Sequence, residues 1–183
     1  MQIFDSDKQL THKALAGSER AWDRLVRRYE KPVYNQALRM TRNPADAMDL
    51  LQEIFLAIYR NLPNYRGSGD FGAWVRRIAI NRCTDFLRHR QRQPETSEEA
   101  LYNLAAPSSP DEEAYVGQRN KEILKMLSEL SAEQRTVVEL KFFQQQTFEE
   151  IAQQLGISSN TAKTRLYGAI DKLKRKPEVI HAL

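Results

Sequence analysis

Apolar residues along this chain recur at helical spacing and nowhere alternate as a strand would require. Trp22, Leu25, Val26 and Tyr29 form one stripe, which Pro32 is expected to end, because proline lacks an amide hydrogen; Val33, Tyr34, Ala37, Leu38 and Met40 resume it. Asn43-Pro44 then supplies a cap and a first-turn proline for a helix whose apolar face holds Ala47, Leu50, Leu51, Ile54, Phe55, Ile58 and Tyr59. A third helix is predicted over Ala73–Arg88, with Phe71, Trp74, Val75, Ile78, Ala79 and Phe86 on its inner side. Further on, Ser131-Ala132-Glu133-Gln134 and Thr147-Phe148-Glu149-Glu150 are capping-box patterns, each opening a helix. The second of these ends at Gly156, and Ser158-Ser159-Asn160-Thr161 starts a last helix through Ala162, Leu166, Ala169, Ile170 and Leu173. The fold class predicted is all-α: two small helical domains, at 5–92 and 116–178. A flexible linker at 93–115 joins them, since Pro94, Pro107 and Pro110 interrupt any helix there.

Charge sharpens this division. Lys and Arg number 28 against 24 Asp and Glu, a net charge of +4 that hides a strong asymmetry. Residues 72–93 carry six arginines and one acid, Asp85, while residues 160–176 carry six cations and one acid, Asp171. Between them, residues 91–115 hold six acids against Arg92 alone, so the linker is acidic. Two cationic segments flanking an acidic spacer fit a protein that grips nucleic acid at two places, although a charge run is also what a solvated face looks like.

Other classes fall away. No apolar run approaches the roughly 18 residues of a membrane span. The start, Met1–Asp7, lacks the basic flank and apolar stretch of a signal peptide, so a cytoplasmic protein without membrane insertion is expected. Cys83, a lone cysteine, suits a reducing compartment and is expected to sit in the core. His12, His89 and His181 share no ligand spacing with it, so no metal site is expected. The seven glycines make no phosphate cradle; no cofactor and no catalytic cluster are expected, and the chain reads as a non-enzyme.

Candidate chemistry concentrates in three places. A helix, a turn built on Gly156 and a second helix form a helix-turn-helix, in which small Ala152 allows a close crossing and Ile157 fills the gap. The solvent side of its last helix shows Asn160, Lys163, Thr164, Tyr167 and Gly168, flanked by Arg165, as a helix entering a major groove would. An αα-hairpin with no DNA role shares that geometry. On the third helix, Arg77, Asn81, Thr84 and Arg88 fall within a stripe about 60° wide. It lies beside a glycine-containing loop, Asn64–Phe71, with an aromatic near each end. That combination suits phosphates and unstacked bases, while the same arginines also suit an ordinary surface. Asp46, Asp49, Gln52 and Glu53 occupy the first turns of the second helix, where acids either complement the positive helix end or offer a docking face to a basic partner.

Taken together these stretches resemble a bacterial extracytoplasmic-function sigma factor of the small two-domain type. The matching runs are Asp46–Leu56, Phe71–Asn81, Phe148–Ala152 and Ser159–Leu166, in the family's order across about residues 18–176. The resemblance implies a region 2 helical bundle and a region 4 helix-turn-helix. It implies that Asp46, Asp49, Gln52 and Glu53 dock on core RNA polymerase, at the coiled coil of its largest subunit, with the flap as a further contact. Tyr65, Arg66, Gly67, Ser68 and Phe71, with Arg77, Asn81, Asp85 and Arg88, would capture the single-stranded minus-ten element. Ser159, Asn160, Thr161, Lys163, Thr164, Arg165 and Tyr167 would meet the minus-thirty-five element. The acidic linker would thread the polymerase's RNA path, and an anti-sigma factor is implied as regulator. The function implied is promoter recognition and melting for transcription initiation, in a stress or envelope response; the alternative is a stand-alone helix-turn-helix regulator. Two positions depart from the family pattern: Gly168, where a basic residue is frequent, and Asp85, where a carboxylate would repel phosphate.

Overall fold

Local capping chemistry sets most of the helix ends. A computed structural model describes residues 5–65, 67, 69–92 and 118–175, and within them every regular element is helical. Helix α1 (Asp7–Leu15) opens with a capping box in which Ser6 and Gln9 satisfy each other's backbone amides. Helix α2 (Glu19–Thr41) follows, capped by Ser18. It runs straight through Pro32, against the expected break there. The proline is exposed, and so is Arg28, the residue whose carbonyl loses its partner, so water can serve that carbonyl. On either side, buried Leu25 and buried Val33, Tyr34 and Ala37 hold both halves on one core. Helix α2 ends at Arg42, in the left-handed region (φ 63°).

Helix α3 (Pro44–Asn61) starts where expected: the Asn43 side-chain oxygen accepts from the amides of Ala45 (2.8 Å) and Asp46 (3.2 Å). A short 3-10 turn, Leu62–Asn64, leads to the glycine loop. Helix α4 (Phe71–Arg92) is longer than predicted at both ends. At its start the Asp70 carboxylate accepts from the amides of Gly72 (3.0 Å) and Ala73 (3.1 Å), which moves the helix start forward to Phe71. The acidic linker at 93–115 lies outside the described residues.

Helix α5 (Gln118–Ser128) precedes α6 (Ala132–Val138), which carries the predicted Ser131/Gln134 box and continues as a π turn, Glu139–Phe143. There the amide of Gln144 bonds the carbonyl of Glu139 (3.1 Å) and that of Gln146 the carbonyl of Leu140 (3.0 Å), which swings Gln145 into the left-handed region (φ 56°). After the wider turn Phe142 is 58% exposed. Helix α7 (Phe148–Leu155) and helix α8 (Ser159–Lys174) complete the fold as predicted, with Gly156 at φ 65° between them.

Helices α2, α3 and α4 pack together with α1 across α2, while α6 and α7 support α8. Helix α6 also rests on α4 and α2. As a result one apolar cluster runs from Leu10 to Ala169 rather than stopping between the two halves. Cys83 is wholly buried within it, as expected for a core residue, and burial pushes its thiol pKa up. Tyr59, assigned to the apolar face of α3, is instead exposed; it lies at the edge of that face, its ring edge-on to Trp22 (5.1 Å between centroids).

Candidate nucleic-acid interface

The acidic start of α3 divides into two kinds of side chain. Asp46 is largely covered and pairs with Arg90 of α4, so it ties the bundle together. Asp49, Gln52 and Glu53 are exposed, and neither Asp49 nor Glu53 enters an ion pair among the described residues. The helical spacing 49, 52, 53, 56 puts them on one stripe with Leu56, itself 54% exposed, and exposed Met48 lies one turn before Gln52. This face is therefore acidic and apolar at once, which suits docking better than simple helix stabilisation. Met48 and Leu56 were missed from sequence; the available signal was an apolar residue one turn beyond Glu53, on the acidic side of the helix.

The glycine loop and α4 build a second surface. The Tyr65 hydroxyl donates to the carbonyl of Gly69 (3.0 Å), closing the loop on itself, and Gly67 and Gly69 take φ values of 68° and 97°. Beneath it, Tyr65, Phe71, Trp74 and Tyr29 form an aromatic cluster, with Tyr65 5.1 Å from Phe71 and 5.2 Å from Trp74 between centroids. Phe71 is only 3% exposed, so it is the floor of this cluster rather than an open stacking platform. Tyr65 is the ring nearer solvent. Tyr29 is fixed from the other side by a hydrogen bond to Asp7 (2.5 Å), and burial, then that bond, pushes its phenol upward. Arg77, Asn81 and Arg88 are exposed along α4, as the stripe predicted, and Asp85 is exposed beside them. Asp85 lies 3.8 Å from Arg88, whose charge offsets part of the repulsion a carboxylate would offer to phosphate. Thr84 is half-buried, and Arg66 and Ser68 lie outside the described residues.

Helix α8 makes the third surface. Gly156 turns the chain, the amide of Ile157 bonds the carbonyl of Ala152 (3.0 Å), and Ser158 caps α8 through the amide of Thr161 (3.0 Å). Ser159 and Thr161 are half-buried, and the Thr161 hydroxyl lies 2.8 Å from that of Ser158, so Thr161 is engaged by the cap. Asn160, Thr164 and Tyr167 project outward, Tyr167 at 58% exposure, with Lys163 and Arg165 half-buried beside them. Gly168 turns inward instead: a Cβ there would come 3.2 Å from the side-chain nitrogen of Gln134 on α6. Lys163 and Lys141 both approach the Phe148 ring, at 5.7 and 4.9 Å from its centroid, beside the positive end of α7. Lys141 is a cation the sequence argument overlooked, because it lies outside the basic block.

Residues 25–93 match Sigma-70 region 2, and residues 120–173 match Sigma-70, region 4. The ECF RNA polymerase sigma factor SigM of Mycobacterium tuberculosis is 31% identical over 170 residues, covering 93% of this chain and 84% of that protein. The chain belongs to the ECF RNA polymerase sigma factors. RNA polymerase sigma-H factor of Pseudomonas aeruginosa is 27% identical over 184 residues, covering 96% and 95% of the two chains. Among solved structures, CnrH in complex with the cytosolic domain of CnrY matches this sigma factor with a TM-score of 0.59 at 25% identity, over 93% of this chain and 96% of that one. The sigma factor RpoE of Bartonella quintana, in complex with the anti-sigma factor NepR, shares the fold (TM-score 0.61, 19% identity, 84% and 94% covered). No helix among the described residues of this sigma factor is long and apolar enough to cross a membrane.

Proposed function

We propose that this chain binds core RNA polymerase, directs it to promoters with two recognition elements, and helps open the duplex, acting as a transcription initiation factor without catalysis of its own. The observation that carries this is the coexistence of three surfaces in one chain. An acidic and apolar docking face lies on α3, a loop-and-arginine face on α4, and an outward helix-turn-helix face on α8. A stand-alone DNA-binding regulator would leave the first two without work.

The region 2 domain is placed at 5–92 and the region 4 domain at 116–178. Asp49, Gln52 and Glu53 dock on the coiled coil of the polymerase's largest subunit, with Met48 and Leu56 as apolar contacts, while Asp46 shapes the face through Arg90. Polymerase contacts at the flap fall to the second domain. Tyr65 and the loop around Gly67 receive an unstacked base, while Arg77, Asn81 and Arg88 hold the strand. Extruding a base costs a few kcal/mol, and stacking on an aromatic ring returns about 1–3 kcal/mol of it. Asn160, Lys163, Thr164 and Tyr167 face base edges of the minus-thirty-five duplex, with Arg165 and Lys141 on phosphates. The work is cytoplasmic, in a stress or envelope response, and the anti-sigma factor NepR named with the RpoE relative supports such a protein as the regulator.

The test is reconstitution: core polymerase, the purified chain and a fragmented genomic library, with transcripts sequenced. Discrete start sites that need both proteins and share two upstream elements are expected. Absence of transcripts together with absence of a stable complex with core polymerase would refute the proposal.

A further inference from the structure

Helix α1 contributes to none of the three surfaces, yet it reaches the back of one of them. It packs across α2 and also rests on the 3-10 turn Leu62–Asn64, through which the chain enters the glycine loop. At its first turn the Asp7 carboxylate accepts from the Tyr29 hydroxyl of α2 at Oδ2 (2.5 Å) and from Arg28 Nη1 at Oδ1 (2.5 Å). Arg28 also donates to the carbonyl of Asp5 (3.0 Å), and the Asp5 carboxylate takes Arg24 (2.7 Å) and Lys13 (3.1 Å). The acceptor offered to Tyr29 is therefore held at both of its oxygens. A hydrogen bond to an ionised acceptor is shorter and stronger than a neutral one, so this bond restricts how far the Tyr29 ring can slide.

The start of α4 rests on that ring. Its centroid lies 5.5 Å from that of Phe71, edge-on, and a Cβ added to Gly72 would come 3.3 Å from both Cε1 and the hydroxyl oxygen of Tyr29. Gly72 is helical and does not take a positive φ, so its missing side chain serves close approach to Tyr29 rather than a turn. From Phe71 the contacts continue outward, to Tyr65 at 5.1 Å and to Trp74 at 5.4 Å. One line of contacts thus runs from Asp7, the first residue of α1, to Tyr65, the ring nearer solvent. Close-packed rings transmit a displacement instead of absorbing it, so a shift of Tyr29 reaches Phe71 and Tyr65. Phenylalanine would serve equally well at position 29 as apolar packing; what the hydroxyl adds is the bond to Asp7.

We propose that Asp7 and Tyr29 are positioning residues for the minus-ten face: their hydrogen bond fixes the ring beneath Phe71 and Gly72 and so holds Tyr65 where an unstacked base is received. Both act through Phe71 and neither touches DNA. This role rests on the reading of the loop as the base-receiving surface, given above, and adds to it the helix that sets the height of the loop.

The test uses the full-length chain with core polymerase on a promoter fragment recovered by the reconstitution, in two forms. One is fully paired; in the other the complement of the minus-ten segment is changed so that the segment is already unpaired. Capture of a base is needed to nucleate opening only on the first. Tyr29→Phe and Asp7→Ala are each expected to slow open-complex formation on paired DNA about five- to tenfold, within what one hydrogen bond to a charged acceptor supplies. On the pre-opened fragment, and in affinity for core polymerase, each should stay within about twofold of the parent, which a general loss of structure would not allow. Tyr29→Phe combined with Asp7→Ala should be no slower than the slower single variant, within about twofold, because both changes remove the same bond. Parent-like opening of paired DNA by Tyr29→Phe overturns the proposal. So does equal slowing on the two fragments, or a double variant slowed by the product of the single effects, since either makes the two residues ordinary supports of the fold. A parent chain that opens no promoter with core polymerase overturns the sigma-factor function itself, and the positioning role falls with it.

Discussion

The acidic face of α3 lends itself to a test in which binding and folding move separately. Asp49 and Glu53 are exposed and make no ion pair among the described residues, so replacing them should leave the fold almost untouched. Surface changes of this kind fall within about 0.5 kcal/mol, under ~2 °C in Tm for a chain of this size. Their effect on a partner is larger. A charge at a partly desolvated interface is worth about 1–2 kcal/mol, and reversal replaces attraction with repulsion. Asp49→Lys with Glu53→Lys is therefore expected to weaken core polymerase binding by about 2–4 kcal/mol, roughly 30- to 1,000-fold at 1.4 kcal/mol per decade. The two sites are one helical turn apart, so the pair will not be strictly additive. Asp46→Ala should behave in the opposite way: losing the Arg90 partner and a first-turn acid costs about 1–2 kcal/mol of stability, ~2–8 °C, with a smaller effect on binding. The assay is equilibrium binding to core polymerase at two salt concentrations, beside thermal melts. An unchanged Kd for the double reversal would refute the docking face. A loss of affinity matched by a fall in Tm would move these residues from docking to structure.

Four further expectations follow from particular geometries. Gln145 sits at φ 56°, so Gln145→Gly should stabilise the chain by about 0.5–1 kcal/mol and raise Tm by ~1–4 °C, a prediction that fails if Tm falls. Arg77→Ala with Asn81→Ala should slow promoter opening, followed by 2-aminopurine fluorescence, more than it weakens initial duplex binding; equal losses would take these residues off the melting step. Lys163→Ala with Tyr167→Ala should flatten preference at the minus-thirty-five element across a duplex library, and a changed minus-ten preference would mean the two surfaces are exchanged. Gly168→Ala sets a methyl 3.2 Å from the movable end of the Gln134 side chain, so the helix-propensity gain of about 0.5–1 kcal/mol should prevail and raise Tm by ~1–4 °C; a fall in Tm would show that Gln134 does not yield.

What the sequence disclosed is what short-range chemistry controls. Asn43-Pro44, the Ser131/Gln134 and Thr147/Glu150 boxes and Gly156 each settle a helix end within four residues, and each does so in the structure as in the sequence. Where a local rule competed with tertiary packing, packing prevailed. Pro32 would break an isolated helix, but the core on both sides of it keeps α2 continuous. The π turn after Val138 left no composition signal, since its origin is hydrogen bonding to Glu139 and Leu140 rather than a marker residue. Helix α1 was overlooked although Ser6 and Gln9 spell a capping box, because apolar periodicity, not capping, guided the reading of that end.

The functional surfaces divide along the same line. Exposed stripes on α4 and α8 follow from helical periodicity alone, so Arg77, Asn81, Arg88, Asn160, Thr164 and Tyr167 appear on the sides the sequence assigned them. The status of Asp46, Phe71 and Thr161 depended instead on who their neighbours are: Arg90 across the bundle, the aromatic cluster, and the Ser158 cap. The first two cannot be deduced from spacing on one helix, whereas the Ser158–Thr161 cap is local. The ion pair between Arg39 of α2 and Glu139 of the π turn is the extreme case, since a hundred residues separate its members and each alone looks like any surface charge on a helix. Periodicity shows which side of a helix is wet in isolation. It does not show that α6 has a second dry side, turned toward α2, and that side joins the two halves of the chain in one core.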